Sequence, residues 1–149
     1  GTPTSVVTRG INNPRSGGWD QTQVMIDYQD ASAQVDGGMM MPESYPFSST
    51  FQVLCERGAI EYHFRAGGRS VEMAGDVNEL VLYPAEGDPE RLSVGQRDPY
   101  VAEIAYFTEC VTTGQPASRA TPEDARLALK VALAARSSLD YGEMTPVPV

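Results

Sequence analysis

The sequence predicts an α+β fold, a mostly antiparallel β-sheet with two C-terminal helices packed on one face and the other face open. Alternating apolar and polar residues fill the first two thirds of the chain, and helical periodicity is confined to the last third. Strands that precede the helices, rather than alternate with them, indicate an antiparallel sheet. At 149 residues the chain is expected to form a single domain, residues 1–149.

The strands are predicted from runs of period-two alternation that end at turn residues. Residues 12–18 are rich in loop-forming residues, and Gln29-Asp30 marks a hairpin turn. The clearest hairpin turns at Glu56-Arg57-Gly58, between two runs in which apolar and polar residues alternate. These limits predict strands at residues 4–11, 21–28, 31–41, 51–55, 60–65, 70–73 and 79–83.

The first helix is predicted to begin at Asp98-Pro99 and to stop at Gly114. Asp98 can cap the first turn, where a proline has no N–H to leave unsatisfied. The apolar residues of this segment recur at three- and four-residue spacing, which predicts one buried stripe. The stripe consists of Tyr100, Val101, Ile104, Ala105, Phe107 and Val111.

The second helix is predicted to begin at Thr121-Pro122 and to end at Gly142. The Thr121 hydroxyl can cap the exposed N–H groups, and Glu123 and Asp124 favour the positive end of the helix dipole. The interior is rich in alanine and other strong helix formers, so we expect close packing against a neighbouring surface.

The composition excludes several classes of function. Acidic residues outnumber basic ones by 20 to 11, so no basic surface for nucleic acid is expected. No apolar run approaches the roughly 20 residues of a membrane-spanning helix, and no signal peptide is visible. Two cysteines, Cys55 and Cys110, are too few for a disulfide scaffold. The sequence therefore predicts a cytoplasmic setting and packing roles for both cysteines.

Motifs for cofactor, metal or nucleophile chemistry are missing from the sequence. It contains no Gly-x-Gly-x-x-Gly turn, no Gly-Lys-Ser/Thr phosphate loop, no Cys-x-x-Cys pair and no His-Glu-x-x-His helix. The one histidine, His63, falls on the polar side of a strand between Glu61 and Arg65, and we interpret it as a solvated or interface residue. We therefore predict no catalytic, cofactor-binding or metal-binding residue in this chain.

Three residues are candidates for contact with a small-molecule substrate. Arg15 and Trp19 combine hydrogen-bond donors with an apolar wall, which can close over an anionic or polyhydroxyl ligand. An ordinary surface loop is the alternative for both. Tyr45 is the third candidate, because loops at one end of a sheet commonly carry ligand contacts. The segment Met39-Met40-Met41 before it can line an interface or fill a core.

Three segments, taken together, carry a resemblance to a known family. They are the hairpin turn Cys55-Glu-Arg-Gly58-Ala-Ile-Glu61, the helix Tyr100…Glu103…Phe107…Gly114-Gln-Pro116, and the run Thr121-Pro-Glu-Asp-Ala125…Ala134-Ala135-Arg-Ser137-Ser138…Gly142. With these in this order, the chain resembles the C-terminal domain of the glucose–fructose oxidoreductase, inositol dehydrogenase and MocA family over essentially its whole length. Cys55 stands where that family usually has a glycine, a difference that concerns only the local turn.

The resemblance implies an activity for the parent protein. In that family an N-terminal Rossmann domain binds NAD or NADP and carries the catalytic lysine. The C-terminal domain supplies part of the substrate pocket and, through its open sheet face, the subunit interface. The implied parent transfers a hydride between the nicotinamide cofactor and a sugar, polyol or related hydroxyl compound. This chain would then be its substrate-binding and oligomerisation domain, without a cofactor of its own, inactive alone, and part of a dimer or larger homo-oligomer.

Two other functions fit the same order of elements. A stand-alone small-ligand binding module requires a deep apolar pocket between sheet and helices. A protein-interaction module requires self-association through the sheet face without a ligand pocket. The chain begins Gly1-Thr2-Pro3-Thr4 without a methionine, which we interpret as the start of an excised domain.

Overall fold

The computed structural model describes residues 1–66, 77–95 and 98–148, and it confirms the α+β class. The predicted strand at residues 70–73 lies outside the described residues. The elements are β1 (Pro3–Asn12), β2 (Trp19–Tyr28), β3 (Ser32–Gly38), β4 (Phe47–Cys55), β5 (Gly58–Ala66), β6 (Val77–Pro84), β7 (Glu90–Leu92), α1 (Pro99–Thr113), α2 (Pro122–Tyr141) and β8 (Thr145–Pro146). The sequence does not predict β7 and β8, because two or three residues are too few to show an alternation.

The described strands form two four-stranded antiparallel sheets, where the sequence predicts one. The first sheet has the order β3-β2-β1-β8, and the second has the order β4-β5-β6-β7. The chain divides into two compact units, one of Gly1–Met40 and Phe107–Val149 and the other of Met41–Tyr106. Alternation within a strand predicts that the strand pairs, but not with which partner, so it cannot distinguish one sheet from two.

The core of the first unit lies between its sheet and α2. Val6 on β1, Ile26 on β2 and Ala134 on α2 are buried, and Val147 completes the cluster after β8. Val6 pairs directly with Ile26, so both side chains point to the face that α2 covers. The small alanine side chain lets the helix lie close to the strands. The predicted packing of the second helix on a sheet face is therefore found.

Gly10 on β1 leaves room for two side chains on the face that α2 covers. A Cβ at this position would lie 3.0 Å from a ring atom of Trp19 and 3.0 Å from Leu139 of α2. It would also lie 2.8 Å from the carbonyl oxygen of Gln21 on β2. The glycine therefore allows the indole ring and the C-terminal part of α2 to approach the sheet.

The second unit is built on the hairpin of β4 and β5. The two strands pair from Phe47 opposite Ala66 to Cys55 opposite Gly58, with the turn at the predicted position. Gly58 has a φ of +147°, and a Cβ there would lie 2.3 Å from the carbonyl oxygen of Tyr83 on β6. A residue with a side chain does not fit this approach, so Gly58 is needed where the hairpin meets the third strand.

Both predicted ends of α2 are confirmed. The N–H of Asp124 donates to the Thr121 hydroxyl at 3.2 Å, and the N–H of Thr121 donates to the Asp124 carboxylate at 3.0 Å. These reciprocal bonds form a capping box, which fixes the first turn. Gly142 ends the helix in the left-handed region with a φ of 75°, which a glycine adopts without strain.

The predicted bounds of α1 are confirmed, but its predicted burial is wrong. Asp98 caps the helix by accepting hydrogen bonds from the N–H groups of Tyr100 and Val101, at 2.8 and 3.1 Å. None of the residues of α1 is buried, and the large residues of its apolar stripe expose between 58% and 74% of their surface. Periodicity predicts that a helix has an apolar stripe, but not which part of a protein covers that stripe.

Candidate functional site

The candidate functional surfaces are the two faces of the second sheet, which differ sharply in polarity. Successive residues of a strand point to opposite faces, and directly paired residues share a face. Phe51 therefore shares one face with Tyr62, whereas Thr50 shares the other with His63 and Glu79. All residues of the four strands are described, and none of them is buried.

The apolar face displays aromatic rings that contact one another across the strands. Phe47 meets Phe64 edge to face with ring centroids 6.2 Å apart, and Phe51 lies 5.2 Å from Tyr62. Phe47 exposes 68% of its surface and Phe51 exposes 50%. Within the described residues, the one charged member of this face is Glu90, on the short edge strand. We define the apolar face as Phe47, Phe51, Val53, Ile60, Tyr62, Phe64, Leu80, Leu82 and Leu92.

The polar face carries two pairs of side chains that connect neighbouring strands. Glu79 on β6 forms an ion pair with Arg91 on β7. Glu61 on β5 accepts a hydrogen bond from the hydroxyl of Tyr83 on β6, at 3.3 Å. With His63, these residues line a shallow depression of about 380 Å³. Both carboxylates of this depression are therefore already bound to partners.

Tyr83 remains protonated at neutral pH. Partial removal from water raises the pKa of Tyr83 above its ordinary value of 10.0. The negative charge of Glu61 and the hydrogen bond to it raise this pKa further. The hydroxyl of Tyr83 is thus a hydrogen-bond donor to Glu61 throughout the neutral range.

Three donors of the polar face have no partner within the described parts of the chain. Thr50 lies directly opposite His63, and Arg65 follows two residues along the same strand. Their side chains make no hydrogen bond or ion pair with any described residue. The Nε atom of Arg65 is shielded from water and still has no hydrogen-bond partner among the residues that the structure describes. The sequence alone indicates that His63 and Arg65 lie on the same side of one strand. The pairing of β4 with β5 is needed to show that Thr50 lies beside them.

Arg15 and Trp19, two of the predicted ligand contacts, both belong to the first hairpin of the first unit. Arg15 is exposed, and its N–H donates to the side-chain oxygen of Asn13 at 2.9 Å. The Asn13 amide donates to the carboxylate of Asp20, so local hydrogen bonds hold the loop. Trp19 begins β2 and is half-buried, with its ring over Gly10. The structure therefore brings these two residues to one end of one sheet.

Tyr45, the third predicted ligand contact, lies in the second unit just before β4. It exposes 44% of its surface, and its N–H donates to the carbonyl oxygen of Pro42 at 2.8 Å. The preceding residues Met39, Met40 and Met41 expose 90%, 55% and 57%. This exposure excludes the core-filling alternative for the three methionines.

The two cysteines are free thiols in different surroundings. Cys110 in α1 is half-buried, whereas Cys55 is exposed at the end of β4. The predicted packing role of Cys55 is therefore wrong, because its side chain is exposed to solvent. Within the described ranges, no cluster of three or more His, Cys, Asp or Glu residues could hold a metal ion. No helix in those ranges is long and apolar enough to cross a membrane.

The fold defines the class of domain to which the chain is related. No protein-family model and no curated protein sequence matches the chain. Solved structures do match, over 97% to 100% of its length, and they are described as oxidoreductases. This confirms the predicted resemblance at the level of the fold, that of an α+β domain found within larger oxidoreductase chains.

Three of these structures illustrate the likeness. The aldose-aldose oxidoreductase from Caulobacter crescentus, complexed with glycerol, has a TM-score of 0.73 and 14% identity. A proposed oxidoreductase from Klebsiella pneumoniae has a TM-score of 0.67 and 20% identity. A third, the proposed oxidoreductase yvaA from Bacillus subtilis, has a TM-score of 0.66 and 16% identity. The chain covers 41%, 45% and 46% of these three chains, so it spans less than half of their length.

Proposed function

We propose that this chain is the C-terminal, substrate-side and assembly domain of a cytoplasmic NAD(P)-dependent oxidoreductase that acts on a sugar, a polyol or a related hydroxyl compound. The observation that carries the proposal is the likeness of almost the whole chain to less than half of each oxidoreductase. In this proposal the chain binds no cofactor itself and is inactive alone. The nicotinamide cofactor and the catalytic lysine belong to the parent protein.

The assembly role is supported by the apolar face. Four strands about 4.8 Å apart and up to nine residues long span roughly 500 Å² in projection. A standard interface uses about 800 Å² per partner, so this face supplies the greater part of one. Contiguous apolar patches of several hundred Å² are often functional on soluble proteins, which is consistent with an interface here.

The partner that fits this face is a second copy of the chain. Two sheets can pack face to face about 10 Å apart with their side chains interdigitated. The face is nearly uncharged, whereas the whole chain carries a net charge of −9, so it is the surface on which two copies repel each other least. A symmetric dimer through this face buries the exposed rings of Phe47 and Phe51.

The substrate-side role assigns ligand contacts to Arg15, Trp19 and Tyr45. The guanidinium of Arg15 and the hydroxyl of Tyr45 are exposed donors suited to hydroxyl oxygens, and the indole of Trp19 offers a flat apolar wall. The glycerol in the Caulobacter crescentus enzyme is a compound of the class that we propose for this chain's parent.

The experiment that tests this function uses the complete reading frame. We expect it to encode a glycine-rich strand-to-helix turn upstream of this domain, and its product to reduce NAD or NADP with a polyol or sugar. The variants Arg15→Ala and Trp19→Ala should each raise KM about tenfold or more, because each removes a substrate contact. Ser16→Ala is the matched control in the same loop and should leave KM unchanged. A reading frame without a cofactor domain would contradict the proposal.

A further inference from the structure

We propose that Thr50, His63 and Arg65 form a binding site for an oxyanion, either a carboxylate or a phosphate group carried by a small molecule. This inference goes beyond the proposed function and does not depend on it. It begins from the guanidinium of Arg65 on the polar face, which has no counter-charge among the described residues. A half-buried cation is costly unless a negative charge compensates it, so the binding of an anion at Arg65 lowers this cost.

The register brings the three donors within the span of one small anion. Thr50 and His63 are directly paired, which places their Cβ atoms about 5 Å apart. Arg65 lies on the same face, roughly 7 Å further along β5. Its long side chain can close this distance, and its planar guanidinium can hold two oxygens of a carboxylate or phosphate at once.

The two described carboxylates nearby, Glu61 and Glu79, do not occupy these donors. Glu79 lies directly opposite His63, but it is held by Arg91 on the far side. Glu61 is two residues from His63 on the same strand, and it accepts the hydroxyl of Tyr83. Among the described residues, the two acids of this region therefore interact with Arg91 and Tyr83 and not with Arg65. The guanidinium of Arg65 can then bind an anionic ligand.

Ser48 lies next to the site, but its hydroxyl is not available as a further hydrogen-bond donor to the ligand. It pairs directly with Arg65, is half-buried, and donates its hydroxyl to the carbonyl oxygen of Pro46 at 3.2 Å. The ligand is thus expected to contact Thr50, His63 and Arg65 in preference to Ser48. The site lies on the opposite face from the aromatic rings, so a dimer through the apolar face leaves it accessible.

The test is a titration of the chain at low ionic strength, followed by ¹⁵N-resolved NMR. Inorganic phosphate and gluconate supply the two kinds of oxyanion, sorbitol is the uncharged match for gluconate, and sodium chloride controls for ionic strength. We expect saturable shifts at Thr50, His63 and Arg65 with at least one of the two anions, and none with sorbitol. Binding of gluconate alone identifies a carboxylate ligand, and binding of phosphate alone identifies a phosphorylated one.

Variants then distinguish binding of the anion at this site from nonspecific attraction of anions to the protein. Arg65→Gln should weaken binding about tenfold or more, because it removes a charged hydrogen bond. Arg57→Gln makes the same change at the exposed turn of the same hairpin and should leave binding unchanged. If Arg65→Gln fails to fold, Thr50→Val is the substitute and should weaken binding severalfold. The proposal is overturned if neither anion gives saturable shifts, or if Arg65→Gln and Arg57→Gln bind equally well.

Discussion

Ser138 of α2 accepts a hydrogen bond from the backbone N–H of Thr8 on β1, with 2.9 Å between Oγ and N. Both residues are almost completely buried, and 130 positions separate them in the chain. The same hydroxyl donates to the carbonyl oxygen of Glu143 at 2.6 Å. One side chain therefore satisfies two backbone groups and connects the sheet, the helix and the segment that leads into β8.

This arrangement predicts a large effect for a small substitution at Ser138. Ser138→Ala leaves the Thr8 N–H and the Glu143 carbonyl without partners, and should lower the free energy of unfolding by about 2 kcal/mol. Ser137→Ala, at a half-buried position of the same helix, should change it by less than about 0.5 kcal/mol. Urea denaturation followed by circular dichroism measures both. Equal stabilities of the two variants would show that the Ser138 hydrogen bonds are not important for stability.

Gly58 provides a test of the second sheet. Gly58→Ala places a Cβ 2.3 Å from the carbonyl oxygen of Tyr83, at a φ of +147° that disfavours any side chain. We expect a loss of roughly 2–4 kcal/mol, because the β5–β6 pairing must shift.

Gly87 is the matched control, because its φ of +100° is also unfavourable but nothing lies within 4 Å of its Cβ position. Gly87→Ala should cost only roughly 1 kcal/mol, the backbone strain without the collision. Thermal unfolding of both variants separates the two effects. A smaller loss for Gly58→Ala than for Gly87→Ala would argue against the close approach to Tyr83.

The capping box of α2 predicts a dependence of stability on pH. Hydrogen bonds from the Thr121 hydroxyl and backbone N–H lower the pKa of Asp124 below its ordinary value of 3.8. Because the folded pKa is the lower one, the stabilisation is present above about pH 4 and is lost as the pH falls through the folded pKa. Asp124→Asn should therefore be less stable than the wild type at pH 6, and this difference should shrink at pH 3.

Glu123→Gln is the control for the pH effect, because Glu123 is a first-turn acid outside the capping box. It removes a charge from the same helix turn, so its difference from the wild type should vary less between pH 3 and pH 6. Guanidinium denaturation curves at the two pH values measure these differences. A stability gap for Asp124→Asn that is the same at both pH values would contradict the assigned cause of the lowered pKa.

The parts of the fold that follow from local chemistry could be predicted from the sequence. The caps at Thr121 and Gly142 depend on residues within one turn of the helix end, so their signals are contained in a few neighbouring letters. The turn between β4 and β5 is likewise local. The sequence predicts these elements at the residues where the structure places them.

The parts that depend on distant partners could not be predicted. The exposure of Phe107 in α1 depends on what covers the helix, which periodicity does not specify. The separation of the strands into two sheets depends on pairing across the chain. The candidate site likewise combines local and distant features. The sequence places His63 between Glu61 and Arg65. The hydrogen bond from Tyr83 to Glu61 could not be predicted, because it depends on how β5 pairs with β6.

We propose that the apolar face holds two copies of this chain together, and light scattering tests this through the molar mass of the chain in solution. The wild type should have the mass of a dimer. Phe51→Asp, which places a charge on the apolar face, should be a monomer, because the buried carboxylate would have no partner. Gln52→Asp places the same charge on the next residue, on the polar face, and should remain a dimer. A monomeric wild type, or equal masses for the two variants, would contradict assembly through this face.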